Sequence, residues 1–292
     1  MMSGPTVEVC AVQLWSSTEH SPEDNRQHAI EMLDRAAKDS PDLIVLPEAV
    51  AMLCYPDGRP GFTYRDVAEP IPGPTTEAVA RIARRGATNV VIGLVEDLGP
   101  DEPCQNVALV FGRDGSLVGR YEKTHEPEVC RREQAAGVGN ELPVFDMDFG
   151  RIGVFICWDL LAPEVAALLT MKGAQLLCFP HLIGLPAQRN FAISLRARAV
   201  DNGVPIVAAG MRDTHNHNGS QDGLYPTCIV DADGRVVAQA EEAGPAIVRA
   251  ALSLAPVRVD QMGEARDGVD WRAQRLRELR PDLYGREYGK MG

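Results

Sequence analysis

Apolar and polar positions in the first half of the chain follow two alternating periods, one typical of strands and one typical of helices. The predicted elements are strands at residues 6–14, 42–49 and 89–96 and helices at residues 21–39 and 75–86. Ser21 stands where a capping side chain is favoured, and Gly86 stands where a helix commonly ends. The run DLIVLPEA at 42–49 is typical of a strand covered on both faces. The turn at residues 113–115 lies between two further strand-like runs and predicts a hairpin.

The second half of the chain repeats this order. Its predicted strands lie at residues 142–157, 175–180, 204–210 and 246–253, and its predicted helices lie at residues 162–174 and 189–203. A turn at residues 233–234 predicts a second hairpin. Strands this apolar need cover on both faces, and two mixed sheets packed face to face with helices outside provide that cover. The sequence therefore predicts an α/β fold, a four-layer αββα sandwich.

The boundaries of the domain follow from the same pattern. No low-complexity linker separates the halves, so we expect residues 1–292 to form a single domain with internal pseudo-symmetry. Residues 255–292 carry too few apolar positions to form a core. We expect this C-terminal extension to run over the surface or to contact a partner subunit.

Composition and charge narrow the classes of function. The chain of 292 residues is 45% hydrophobic and 24% charged, with a net charge of −12. The negative charge argues against nucleic acid or an anionic membrane surface as the main partner. No apolar run approaches the ~18 residues of a membrane span. The N-terminus also lacks the basic and apolar segments of a signal peptide.

The number and spacing of the cysteines bear on the cellular compartment and on whether the chain holds a zinc site. The seven cysteines are dispersed, odd in number and never spaced as CxxC. This pattern favours reduced thiols in the cytoplasm over a disulfide framework or a zinc site. His215 and His217 have no third ligand at a sensible spacing, so we predict no metal there.

Cys157 is the first candidate for chemistry. It follows the apolar run Val154–Ile156 and precedes a helix that begins near Pro163. A thiol between a strand end and a helix start lies near backbone N–H groups and the positive end of the helix dipole, and both favour the thiolate. The alternative is a small buried hydrophobe, which is the commoner role of a single cysteine.

Two further strand ends carry groups that a nucleophilic thiol needs. Glu48 ends the run DLIVLPE, and Lys123 ends the run LVGRYEK. A nucleophile needs a base to remove its proton and a positive group to hold the oxyanion. In α/β sheets such groups collect at the C-terminal ends of strands. Solvated surface charge remains the ordinary role of a single Glu or Lys.

At these residues the chain resembles the nitrilase superfamily, the carbon–nitrogen hydrolases with a Glu–Lys–Cys triad. The matching stretches are DLIVLPE, GRYEKTH and FGRIGVFICWDLLAPE, followed by KGAQLLCFP, RARAVDNGVPIV, CIVDADGRVVAQA and RPDLYG. The resemblance spans nearly the whole chain in order. It implies the four-layer sandwich inferred above, association into dimers or larger assemblies, and no cofactor.

The resemblance also implies a role for each residue of the triad. Glu48 is expected to be the general base, Cys157 the nucleophile that forms a thioester, and Lys123 the oxyanion-stabilising cation, together with the backbone N–H of Trp158. The family has a second glutamate in the loop after the lysine. Backward alignment from residues 139–141 places it at Glu133, with Glu128 as the alternative.

The resemblance suggests a substrate class and a pocket. The Trp158–Asp159 pair resembles the amidase and N-carbamoyl hydrolase branches, whereas true nitrilases more often have Glu in place of Asp159. We therefore expect hydrolysis of a small amide or ureido compound with release of ammonia. A nitrile hydrolase and a low-turnover binding or assembly protein remain the alternatives. The residues expected to line the pocket are Tyr55, Phe62, His125, His181 and Met211.

Overall fold

The computed structural model describes residues 5–16, 19–52, 61–133, 136–182, 191–213, 227–242, 244–259 and 269–290. The strands are β1 (Thr6–Ser16), β2 (Leu43–Val45), β3 (Asn89–Glu96), β4 (Gln105–Phe111), β5 (Leu117–Glu122), β6 (Val144–Met147), β7 (Gly150–Val154), β8 (Leu176–His181), β9 (Ile206–Asp213), β10 (Cys228–Val230), β11 (Val236–Gln239), β12 (Ala246–Ser253), β13 (Arg258–Val259) and β14 (Val269–Asp270). The helices are α1 (Pro22–Ala37), α2 (Tyr64–Val67), α3 (Pro74–Gly86), α4 (Glu128–Glu133), α5 (Pro163–Met171), α6 (Phe191–Asn202), α7 (Trp271–Glu278) and α8 (Pro281–Tyr288), with a short 3₁₀-helix at Cys157–Leu161.

Local signals place several of these elements where the sequence predicted them. The side chain of Ser21 accepts a hydrogen bond from the backbone N–H of Asp24, which caps α1. The hairpin between β4 and β5 turns at Gly115, whose φ of +78° is a conformation that glycine adopts without strain. The predicted strand at 42–49 is shorter than expected, since pairing ends at Val45 and Pro47 has no N–H to continue it.

The main strands form two mixed sheets of similar design. The first has the order β5-β4-β3-β2-β1-β12, and the second has the order β6-β7-β8-β9-β10-β11. In each, three central strands are parallel and the flanking strands are antiparallel. The ends of β1 and β9 pair through Leu14 and Met211, so hydrogen bonds join the two sheets into one twelve-stranded set.

The hydrophobic clusters define four layers. One cluster joins inward-facing residues of the two sheets, such as Val9 and Val91 from the first and Val154 and Val207 from the second. A second cluster packs α1 and α3 against the first sheet. A third packs α5 and α6 against the second sheet. The predicted four-layer αββα sandwich is therefore confirmed.

The C-terminal extension lies on the outer helices of its own chain. The indole N–H of Trp271 donates to the carbonyl of Val200 at 3.3 Å, and the hydroxyl of Tyr288 donates to Glu164 at 2.5 Å. Helices α7 and α8 contain no buried residue. Contact with a partner subunit stays a prediction. Within the described parts of the chain, no helix has the length and apolar character needed to cross a bilayer.

Candidate active site

Three strand ends bring their side chains together. Glu48 lies just beyond β2, Lys123 directly follows β5, and Cys157 follows β7 at the start of the 3₁₀-helix. The Lys123 Nζ lies 2.7 Å from Glu48 Oε1, and the charges of Glu48 and Lys123 both act on the Cys157 thiol. All three residues are buried. The fold thus assembles an acid, an amine and a thiol from three separate segments, of which those of Glu48 and Lys123 lie 75 residues apart along the chain.

Both carboxylate oxygens of Glu48 are held in place. Oε1 accepts hydrogen bonds from Lys123 Nζ and from Asn106 Nδ2, each at 2.7 Å. Oε2 accepts a hydrogen bond from the backbone N–H of Leu182 at 2.8 Å. The backbone of Glu48 is fixed as well, because a Cβ at Gly93 would lie 2.4 Å from the Glu48 Cα. Only glycine lets β3 approach the segment that carries this carboxylate.

Lys123 lies between two carboxylates. In addition to the contact with Glu48, its Nζ lies 3.2 Å from Glu126 Oε2. Burial by itself disfavours the ammonium, but the attraction of Glu48 and Glu126 outweighs that effect and holds the pKa of Lys123 well above its usual range. The lysine is therefore a fixed positive charge beside the thiol.

Glu126 is a member of the site that the sequence reasoning missed. Its carboxylate accepts hydrogen bonds from the Tyr64 hydroxyl at 3.3 and 3.4 Å, and Asn106 Nδ2 donates to the same hydroxyl at 2.9 Å. Burial raises the pKa of Glu126 to about 7 even though Lys123 opposes this shift. The signals that could have found this cluster were an acid three residues after Lys123 and an asparagine inside the apolar run of β4.

Cys157 has a backbone conformation that is rare for residues other than glycine. Its φ is +46°, in the left-handed region, and this tight turn directs the thiol toward Glu48 and Lys123. Burial raises the pKa of the thiol well above its usual range and Glu48 raises it further, while Lys123 and the Leu182 N–H oppose the shift. Burial therefore outweighs the effect of the backbone N–H groups, which the sequence predicted to favour the thiolate. The thiol is protonated at rest, and Glu48 is placed to take the proton.

A buried carboxylate lies behind the cysteine turn. Asp159 is fully buried and accepts hydrogen bonds from Tyr121, Thr124, His125 and the backbone N–H of Ile156. The exposed His125 imidazole lies 3.0 Å from Asp159 Oδ1, and this hydrogen bond raises the pKa of His125. His125 is thus held at the edge of the site with its ring partly in solvent.

The two predicted positions for the second glutamate lie on α4. Glu128 is the first residue of this helix and is exposed. Glu133 is the last residue of the helix, and its side chain lies outside the described residues. Besides Glu48, the carboxylate that contacts Lys123 in the described structure is that of Glu126. The role predicted for Glu133 stays a prediction.

The predicted pocket residues occupy different surroundings. Phe62 packs in the same cluster as Tyr64 and Leu182, beside the triad. His181 is buried with its ring stacked on Phe179 at 4.8 Å, in the aromatic cluster on the helix side of β8. Met211 packs against the cluster under α1 and α3.

Other predicted residues fall outside the part of the chain that the structure describes. These are Tyr55 and the two histidines for which no metal was expected, His215 and His217. The pocket as a whole stays a prediction.

Comparison with known proteins identifies the family of this chain. The sequence profile of the carbon-nitrogen hydrolase family matches residues 8–261. The omega-amidase NIT2-A of Xenopus laevis is 28% identical over 268 residues, covering 88% of this chain and 91% of the relative. The deaminated glutathione amidase of Bos taurus is 28% identical and covers 96% of this chain and 84% of the relative.

Solved structures share the fold. The structure of Nit3 from Saccharomyces cerevisiae, a member of branch 10 of the nitrilase superfamily, superposes with a TM-score of 0.70 at 26% identity, covering 87% of this chain and 92% of that chain. An amidase from Nesterenkonia sp. superposes with a TM-score of 0.71 at 19% identity, covering 96% of this chain and 95% of that chain, which supports the fold alone. On the match across most of its length, this chain belongs to the carbon-nitrogen hydrolase family, within the nitrilase superfamily.

Proposed function

We propose that this carbon-nitrogen hydrolase cleaves the C–N bond of a small linear amide through a thioester on Cys157 and releases ammonia. The observation that carries the proposal is the burial of the Cys157 thiol with Glu48 and Lys123, whose charges act on it. Both oxygens of Glu48 are held by hydrogen bonds from Lys123, from the Asn106 amide and from the backbone N–H of Leu182. A buried thiol, a base and a fixed cation are the three groups that acyl transfer needs.

The first half-reaction forms the thioester. Glu48 takes the proton of the thiol, and the sulfur attacks the carbonyl carbon of the amide. Lys123 and the backbone N–H of Trp158 stabilise the oxyanion that forms. The Trp158 N–H lies in the first turn of the 3₁₀-helix, where N–H groups have no partner within the helix. Glu48 then gives its proton to the departing nitrogen, which leaves as ammonia.

The second half-reaction restores the enzyme. Water loses a proton to Glu48 and attacks the thioester carbon, and the acid product leaves as the thiol takes back a proton. In both half-reactions Glu48 becomes neutral for part of the cycle and then attracts Lys123 less. Glu126 supplies a second partner 3.2 Å from Lys123 Nζ, so the ammonium keeps its place when Glu48 carries the proton. We propose Glu126 for this role of the second glutamate.

The relatives favour amides over nitriles as the substrate class. Three of them carry the names omega-amidase or deaminated glutathione amidase. Asp159, which follows the Cys–Trp pair, is also the residue that resembles the amidase and N-carbamoyl branches. A linear amide is therefore our first proposal, and a ureido compound, cleaved at the same kind of C–N bond, is the second.

Release of ammonia from a panel of linear amides, ureido acids and nitriles tests this proposal. We expect turnover of amides, and we expect intact-mass spectrometry of the quenched enzyme to show an acyl adduct on Cys157. The mass of the adduct reports the acyl half of the substrate. Turnover of nitriles without amides would favour the nitrile hydrolase instead. If no compound releases ammonia and Cys157 resists iodoacetamide, the enzyme hypothesis fails, and a binding or assembly role becomes the better hypothesis.

We also propose a homo-oligomer in the cytoplasm. Large apolar side chains are exposed in the second half of the chain, at Leu161 on the 3₁₀-helix, Leu168 on α5, and Ile193 and Val200 on α6. Exposed large apolar side chains that cluster on a surface are typical of an interaction site. Sedimentation velocity should give a mass of at least two chains, and replacing Ile193 by Glu should lower it. The compartment rests on the dispersed cysteines of the sequence.

A further inference from the structure

The Asp159 carboxylate connects two segments that the sheets do not hold against each other. Lys123 follows β5, at the edge of the first sheet, whereas Cys157 follows β7, inside the second sheet. Main-chain hydrogen bonding between these strands runs through β4, β3, β2, β1, β9 and β8. The distance between the ammonium and the thiol therefore depends on side-chain contacts across the two sheets.

On the cysteine side, Asp159 closes the turn around the nucleophile. Its Oδ2 accepts a hydrogen bond from the N–H of Ile156 at 2.8 Å, and its own N–H donates to the carbonyl of Ile156 at 3.0 Å. The two residues enclosed by these bonds are Cys157, whose φ is +46°, and Trp158. A non-glycine residue in this region costs roughly 1–3 kcal/mol and persists only where neighbouring contacts hold it. Asp159 supplies those contacts.

On the lysine side, the same carboxylate holds the residues next to Lys123. Oδ1 accepts hydrogen bonds from the Thr124 hydroxyl at 3.0 Å and from the His125 N–H at 2.9 Å. Oδ2 accepts one from the Tyr121 hydroxyl at 2.7 Å. Asp159 is fully buried, and bonds of this kind to a charged acceptor are stronger than neutral ones. One carboxylate thus bonds to Ile156, the residue before Cys157, and to Thr124, the residue after Lys123.

We propose that Asp159 is a positioning residue that sets the place of the Cys157 thiol relative to the Lys123 ammonium. The inference rests on the function proposed above and adds a residue that touches neither the substrate nor the reacting atoms. Its effect is geometric, and a displacement of about 1 Å in a catalytic group can cost roughly 100-fold in rate.

Asp159→Asn is the direct test. The variant keeps the size of the side chain but presents an NH₂ group to an array of donors. Because two donors repel each other, either the lysine segment or the cysteine turn must move away from the side chain. We expect kcat for the best amide to fall about 100-fold with KM changed less than about threefold. We also expect the pH profile for alkylation of Cys157 by iodoacetamide, followed on the isolated peptide by mass spectrometry, to move to higher pH. The reason is that Lys123 lowers the pKa of the thiol and would lie farther from it.

Two controls keep the test specific. Asp146→Asn removes an exposed carboxylate of β6 that pairs with Arg151 of β7. This variant should change neither kcat nor the alkylation profile. Thr124→Val removes the hydroxyl that donates to Asp159 and that also lies 3.0 Å from the Tyr121 hydroxyl and from His125 Nδ1. It leaves the cysteine turn untouched, and Thr124→Ser keeps the hydroxyl. We expect a loss of about tenfold in kcat for Thr124→Val, roughly the value of one hydrogen bond to a charged group, and recovery in Thr124→Ser.

The outcomes separate this proposal from the proposed function. If the native chain hydrolyses amides and Asp159→Asn loses stability without any change in the alkylation profile or kcat, Asp159 is only structural and the proposal is wrong. If Asp159→Asn does not fold, the two Thr124 variants provide the test. An equal kcat for Thr124→Val and Thr124→Ser would then overturn the proposal. If the native chain hydrolyses nothing but the alkylation profile still shifts in Asp159→Asn, the proposed function fails and the positioning role stands.

Discussion

Replacing Glu126 by Gln should stabilise the protein at pH 8 while lowering its activity. Glu126 has a fully buried side chain, and its pKa is raised from 4.5 to about 7, chiefly by burial. Below pH 4.5 the carboxyl is protonated in the folded and the unfolded chain, and above pH 7 it is ionised in both. Between these values the folded chain keeps a proton that the unfolded chain has lost. The contribution of Glu126 to the free energy of unfolding therefore falls as pH rises through this window.

The magnitude follows from the shift. One pKa unit corresponds to about 1.4 kcal/mol, so the rise from 4.5 to about 7 costs about 3 kcal/mol at pH 8. Gln resembles the protonated carboxyl in size and polarity but cannot ionise. We expect Glu126→Gln to match the native chain in stability near pH 4.5 and to exceed it by about 3 kcal/mol at pH 8. We expect kcat to fall about 10- to 100-fold, because Lys123 loses the partner that stays charged while Glu48 carries the proton.

Urea unfolding of both proteins from pH 4.5 to pH 8 measures this difference. At constant m-value, the separation of the two midpoints should grow with pH. Glu128→Gln, which removes an exposed carboxylate two residues away, should stay within about 0.5 kcal/mol of the native chain at every pH. A Glu126→Gln protein that is less stable than the native chain at pH 8, or a separation that does not change with pH, would refute the reasoning.

Two further predictions concern the nucleophile and the base. Cys157→Ala should fold normally, with an unchanged circular dichroism spectrum, and should release no ammonia from any amide; substantial residual turnover would exclude Cys157 as the nucleophile. Gly93→Ala should lower the free energy of unfolding by roughly 1–3 kcal/mol. It should also reduce kcat, because its Cβ would lie 2.4 Å from the Glu48 Cα. Gly285→Ala, where no atom lies within 4 Å of the added carbon, is the control; it should leave kcat unchanged and should not lower the free energy of unfolding, since Ala favours the helix that contains it.

Glu126 and Asp159 show two different uses of a buried carboxylate in one site. Glu126 faces one cation and weak hydroxyl contacts, so burial dominates and its pKa rises. Asp159 faces an array of donors from two segments of the chain. The first carboxylate is suited to balance a charge that changes during turnover, and the second is suited to hold backbone in place.

Much of the secondary structure was decided by local sequence. Capping by Ser21 and the glycine turns at Gly115 and Gly234 act within a few residues, so the chain itself shows them. The apolar runs also indicated strands buried on both faces, and the layers followed from the need to cover them. What the sequence did not show, beyond the two hairpins, was which strands pair. Residues of β12 pair with β1 across more than 200 positions, and β1 continues to β9 to join the sheets. Such pairing depends on contacts in space that no local period records.

The candidate site divides in the same way. Glu48, Lys123 and Cys157 could be identified from the sequence because each ends an apolar run and because their order matches a family. Only the tertiary structure decided that the acid beside Lys123 is Glu126 and that Asp159 joins the lysine loop to the cysteine turn. Only the tertiary structure decided the resting state of the thiol, since burial and the facing charges set its pKa. The sequence names the groups that can react, whereas distance and burial determine which of them meet and which of them carry a proton.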